Sequence, residues 1–172
     1  MIKIFLCSIL LFSSSAIGYL ISLGYSFRIR DLNDIQSALN RLESEIIYYS
    51  TSLPLAMEKI AKLCNGNTSK IFKEVSKLLN SKEGYRIDEA WKISVLKFKS
   101  KTNFNREDIE IIINFGKDLG VVSKEVQKKH FNFIRDLLEE QKKKAMYQQN
   151  KNGKMYSKLG VILGLALIVI LI

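Results

Sequence analysis

Residues 30–50 read RDLNDIQSALNRLESEIIYYS. Leu32, Ile35, Leu39, Leu42, Ile46 and Tyr49 recur at intervals of three and four, the spacing that aligns side chains along one face of an α-helix. The stripe stops at STSLP, where the hydroxyls of residues 50–52 offer caps and the only proline, Pro54, suits a first helical turn. The same period continues toward the C-terminus. A second helix places Leu53, Met57, Ile60 and Cys64 on one side. NGN at 65–67 ends it, and Asn67 or Thr68 caps a third helix with Ile71, Val75 and Leu78 inward. After NSKEGYR, residues 88–99 form a fourth helix on Trp91, Val95 and Phe98. A fifth opens at TNFNRED with Asn105 as cap and Glu107 and Asp108 in the first turn, where the helix dipole favours acids. Asp108 is not the Glu or Gln of a full capping box, so only the simpler cap is expected. Its inward set is Ile109, Ile112, Ile113, Phe115 and Leu119, and Gly120 closes it. The sixth helix starts near Ser123 and carries Val126, His130, Phe131, Ile134, Leu137 and Leu138. No segment alternates long enough for a sheet. The fold class is all-α, a six-helix bundle over residues 26–149.

Working outward, both flanks are apolar. Residues 4–24 carry no charge and are long enough to span a bilayer, so residues 1–25 read as a transmembrane anchor. The rival is a cleaved signal peptide, since Lys3, an apolar centre and the small residues 13–16 come in that order; against it, apolar character continues through Ile17, Tyr19, Leu20 and Ile21. Cys7 comes after the bulky Phe5 and Leu6, which argues against a lipoprotein. Residues 159–172 contain only Leu, Ile, Val, Ala and Gly. Fourteen residues rise about 21 Å, less than a hydrocarbon core of ~30 Å, so the span needs help from residues 155–158 or local thinning with snorkelling lysines. A buried core helix is the alternative, but this run is apolar all round. Its Gly160 and Gly164 form a GxxxG that permits close helix packing. Residues 150–158 form a basic juncture, where Gly153 in QQNKNGK is a hinge candidate.

Charge placement assigns a side. The net charge is +10, yet residues 26–140 hold twenty Lys and Arg against seventeen Asp and Glu. The excess is Lys142, Lys143, Lys144, Lys151, Lys154 and Lys158, with no acid among them. A juxtamembrane cluster of this kind fits an anionic leaflet and not nucleic acid. With Arg28 and Arg30 after the first run, the positive-inside rule places the bundle in the cytosol and both termini outside.

Catalytic signals are missing: there is one histidine, and no GxxxxGK, GxSxG, HExxH or cysteine ligand pair. No enzyme activity, cofactor or metal is expected. His130 lies on the apolar stripe, where a bundle histidine is expected and a general base would need a positioned partner. Glu43 and Glu45 would hold a metal only with ligands from another helix, so a solvated face that contacts something else is expected. Tyr48 and Tyr49 make the end of the first helix more apolar than one stripe needs. Gly116 sits within a helix, where glycine is about 1 kcal/mol worse than alanine, so it admits close approach of another backbone, inside the bundle or at a docking surface.

LESEIIYYSTSL (42–53), DEAW (88–91), FGKDLG (115–120), QKKH (127–130) and the abrupt apolar ending together resemble the stage III sporulation protein AB family of endospore-forming bacteria. That family often has a proline directly after the threonine of the first motif, where this chain has Ser52, and an acid shortly after LG, where it has Ser123. The resemblance implies a membrane component of the channel linking mother cell and forespore, made in the mother cell. It implies a cytosolic domain similar to the F-type platform protein of type II secretion, docking a secretion-type ATPase and other channel proteins, with a homodimer as a further conjecture. The partner-binding candidates are then Glu43, Glu45, Tyr48, Tyr49, Phe115, Gly116, Leu119, Gly120 and Gln127. A membrane-tethered enzyme and a secreted basic protein are the alternative readings.

Overall fold

The structure, a computed structural model, describes the backbone of residues 2–120 and 123–153 and the side chains of residues 23–120 and 123–151. Among them are six α-helices and no strand: α1 (Ile2–Glu43), α2 (Leu53–Leu63), α3 (Gly66–Leu79), α4 (Ile87–Phe98), α5 (Arg106–Phe115) and α6 (Lys124–Gln148). Arg30–Lys142 form one compact unit, and the stretches on either side of it form a second.

Within the first unit, the three-four stripe of α1 does what its spacing requires. Leu32, Ile35, Leu39, Leu42 and Ile46 are all buried, as are Met57 and Ile60 of α2, Ile71 and Val75 of α3, Trp91 and Val95 of α4, and Ile109 and Ile112 of α5. α2 packs on α3, α3 on α4 and α4 on α5. Serine hydroxyls bind carbonyls where helices α2 and α3 meet: Ser69 Oγ donates to Ala61 O at 2.6 Å and Ser76 Oγ to Pro54 O at 3.0 Å. α1 and α6 are joined by polar side chains. Arg135 Nε donates to Asn40 Oδ1 at 2.7 Å, its Nη2 pairs with Glu43, and Gln36 Nε2 donates to Glu139 Oε2 at 3.1 Å.

Several local expectations change. Asn105 and Asp108 do form a reciprocal capping box, with Asp108 N donating to Asn105 Oδ1 at 2.8 Å and Asn105 N to Asp108 Oδ2 at 2.9 Å. The shorter aspartate reaches because Asn105 holds the extended conformation of an N-cap. Ser52 caps α2 with its backbone alone, since no side-chain bond forms there. Asn67 and Thr68 do not cap α3. That helix starts earlier, at Gly66, and the Asn67 amide donates to Lys101 O instead. Val126, which the spacing puts on the inward stripe of the sixth helix, is half exposed; Gln127 is buried in its stead.

The apolar runs expected to span a membrane fall at 4–24 and 159–172. The second, its GxxxG, and Lys154 and Lys158 lie outside the described residues. The backbone of the first belongs to α1, while its side chains before Leu23 lie outside. Among the described residues no helix is long and apolar enough to cross a membrane.

Candidate docking surface

The C-terminal end of α1 does not stop as an ordinary helix. Over Ser44–Tyr48 it widens into a π turn, with Tyr49 N donating to Ser44 O at 3.2 Å, five residues back. Thr51 N then reaches Glu45 O at 2.9 Å, and Ser50 takes a left-handed conformation with φ of 51°. Ile46 stays buried, but Tyr48 and Tyr49 are swung out to 68% and 72% exposure. The helical spacing predicts Tyr49 on the buried stripe. The extra residue of the π turn rotates it off that face.

Neighbouring side chains hold this turn from both sides. Glu45 is half-buried and accepts from Lys59 Nζ at 2.8 Å and Thr51 Oγ1 at 2.7 Å. The bond from Lys59, then that from Thr51, hold its carboxyl below the usual carboxylate value. Across the turn, Lys124 Nζ donates to Ser50 Oγ at 2.7 Å and approaches Ile47 O at 3.4 Å. Glu43 faces inward and pairs with Arg135. Neither glutamate is part of a freely solvated acidic face, because each meets a cation from another helix.

In the second candidate stretch, residues 115–120, Phe115, Gly116 and Leu119 belong to the core, while Lys117, Asp118 and Gly120 are exposed. Phe115 is fully buried, edge-on to Trp91 at 5.3 Å and to Phe131 at 5.1 Å, while Trp91 meets Phe72 at 5.3 Å. Gly116 opens a tight 3₁₀ turn, Gly116–Asp118, against the Trp91 ring. A Cβ there would stand 2.6 Å from Trp91 Cγ and 2.8 Å from its Cβ. Trp91 is itself pinned, its Nε1 donating to Ile112 O at 2.6 Å. Leu119 is buried, and Gly120 has a φ of +76° that favours glycine, with Leu53 Cδ1 2.6 Å from where a Cβ would lie. His130 stacks on Phe115 at 5.8 Å, with Nε2 3.2 Å from Phe115 O and Nδ1 3.5 Å from Asp118 Oδ2. Gln127 is also buried, and its Nε2 has no hydrogen-bond partner among the described residues.

The nine candidates therefore divide. Tyr48 and Tyr49 present surface, Glu45 fixes the turn that carries them, and Glu43, Phe115, Gly116, Leu119 and Gln127 belong to the interior. Gly120 is an exposed turn residue next to Leu53. The structure adds Lys124, for which the chain carries no local signal, because its role depends on a hydroxyl 74 positions away.

The basic residues divide as well. Arg28 is buried and its Nη1 donates to Gln148 Oε1 at 3.0 Å; Lys142 is half-buried, bonded to Gln36 Oε1 at 3.2 Å and paired with Glu139 one helical turn back. These two are packed against polar partners and are not open surface charges. Arg30, Lys143, Lys144 and Lys151 are exposed.

Comparisons with known proteins agree with one another. The family model described as stage III sporulation protein AB matches residues 3–172. A stage III sporulation protein AB of Bacillus subtilis (strain 168) is 33% identical over 147 residues, covering 86% of this chain and 85% of that one. A solved structure of a stage III sporulation protein AB superposes with a TM-score of 0.68 at 29% identity, over 73% of this chain and 98% of the other.

Proposed function

The chain belongs to the stage III sporulation protein AB family, and from that premise we propose that it is a non-enzymatic membrane scaffold. It docks a cytosolic secretion-type ATPase beneath the channel between mother cell and forespore. Apolar segments at 4–24 and 159–172 hold the chain in the mother-cell membrane. The bundle faces the cytosol and both termini face out, the orientation that the flanking arginines and lysines favour. Other channel proteins, and a second copy of the chain, are further partners.

The single observation that supports docking is the pair Tyr48–Tyr49. Two adjacent tyrosines exposed by about two-thirds ride on a turn that Glu45, Thr51, Lys59 and Lys124 hold rigid. A pre-shaped aromatic surface loses little entropy on binding, and tyrosine is among the residues that dominate interface energies. Detergent-solubilised full-length chain, carrying an affinity tag, is mixed with the ATPase of the same complex and captured. The variant Tyr48→Ser with Tyr49→Ser should lose capture by about tenfold or more with unchanged helicity. Undiminished capture by that variant would remove the tyrosines from the interface, and no capture by the parent chain would remove the ATPase.

A further inference from the structure

We propose that the second compact unit carries a collar that rests on the headgroups of an anionic bilayer, with Phe27, Met146 and Tyr147 entering the interface and Lys143 and Lys151 meeting lipid phosphates. This deepens the reading above and rests on its membrane attachment.

Three observations converge on it. The first is charge segregation. All seventeen acids lie between Asp31 and Glu140, whereas residues 23–30 and 141–158 contain two arginines, six lysines and no acid. Solubility alone does not call for such separation, which attracts an anionic surface. The second is side-chain direction. Lys143, Met146 and Tyr147 stand at i, i+3 and i+4 on α6 and share one helical face. Ala145 between them is buried, while Met146 and Tyr147 are 46% and 66% exposed. The opposite side is taken by polar ties to α1: Gln149 Nε2 donates to Ser26 Oγ at 2.7 Å and Arg28 Nη1 to Gln148 Oε1 at 3.0 Å. On α1, Phe27 is 46% exposed between those two tied residues. Lys151 Nζ stands 5.9 Å from the Tyr147 ring centre, so cation and aromatic are presented together.

The third is continuity. Phe27 follows the apolar run at 4–24 by three residues, and Lys151 precedes the run that begins at 159 by eight. Aromatic rings beside lysines at the edge of an apolar segment suit the zone where headgroups meet acyl chains. An acidic protein surface would satisfy the lysines but would give no reason for apolar side chains to be exposed among them. An anionic lipid surface satisfies both.

The test uses the full chain with Cys7→Ser, Cys64→Ser and Met146→Cys, reconstituted into bilayers of phosphatidylcholine alone or mixed with phosphatidylglycerol. An alkaline wash comes first. Loss of the chain at that wash overturns the membrane-spanning reading, and the inference with it, before the lipids are compared. With the chain retained, the introduced thiol should react with a neutral maleimide about tenfold more slowly in the anionic bilayer. Each lysine near such a surface contributes enough to change occupancy about fivefold. Lys143→Gln with Lys151→Gln should restore fast reaction, and so should ~1 M salt, where the screening length shrinks to about 3 Å. A thiol placed by Tyr49→Cys should react alike in both lipids. Equal rates for the Met146→Cys thiol in the two bilayers, or equal protection in both, overturn the collar while leaving the anchors standing.

Discussion

Tyr48–Tyr49 and Phe115–Gly116 occupy similar positions in the sequence, each an aromatic pair or neighbour at the end of an apolar helix, and the fold treats them oppositely. α1 ends in a widening, a π turn with an i to i+5 bond, which adds a residue and rotates Tyr49 off the buried face, so that it joins Tyr48 in solvent. α5 ends in a tightening, a 3₁₀ turn, which keeps Phe115 on the core and lays Gly116 against Trp91. One ending therefore exports aromatic surface and the other concentrates it. The two motifs thus carry two kinds of information. Phe115, Gly116 and Leu119 of FGKDLG are held by packing, whereas the exposed tyrosines of LESEIIYYSTSL have no packing reason to be aromatic.

Substitutions at the two endings should separate these roles. The largest effect is expected from Phe115→Ala, which empties the centre of a ring of aromatics and should cost about 3–5 kcal/mol in urea unfolding. Gly116→Ala should come next at about 1–3 kcal/mol, toward the upper end because Trp91 is pinned to Ile112 O and has little room to yield. A neutral result there would break the claim that this glycine serves close approach. Gly120→Ala should cost about 1–2 kcal/mol, since its left-handed φ penalises a Cβ.

Glu45 sharpens the comparison through pH. Its carboxyl is held below its ordinary value of 4.5, so its contribution to stability is in place above that value and is lost as pH falls through the lower folded value. Glu45→Gln should thus be less stable than the parent at neutral pH, with the gap closing in strong acid; a gap that stays constant would mean Lys59 and Thr51 do not stabilise the ionised form. Smallest of all on stability is Tyr48→Ser with Tyr49→Ser, expected within about 0.5 kcal/mol of the parent. A larger loss would show that the tyrosines serve packing after all.

Much of the fold is legible in the sequence where periodicity and local chemistry coincide. The stripe from Leu32 to Ile46, the cap at Asn105 and the start of α6 after Ser123 are each set by residues within one or two turns of one another. Legibility fails where one residue of register matters. Val126 and Gln127 are neighbours, and hydrophobicity favours the valine for the core, yet the helix turns the glutamine inward. Phe72 escapes the predicted stripe beside Ile71 for the same reason, although it meets Trp91 edge-on. Among the candidate site residues, the tyrosines stand out as surplus aromatics, but Glu43 reads as a solvated acid because its cation, Arg135, lies 92 positions away.

By itself the sequence determined that this is an all-helical chain with its acids confined to the middle and its apolar runs at the flanks, because helical period and charge order are properties of neighbours along the chain. Only the tertiary structure decided which aromatic faces solvent, which cation each glutamate meets and why Gly116 has no side chain. Those outcomes depend on atoms brought together from helices far apart in sequence, where a single extra residue in a turn changes which face is covered.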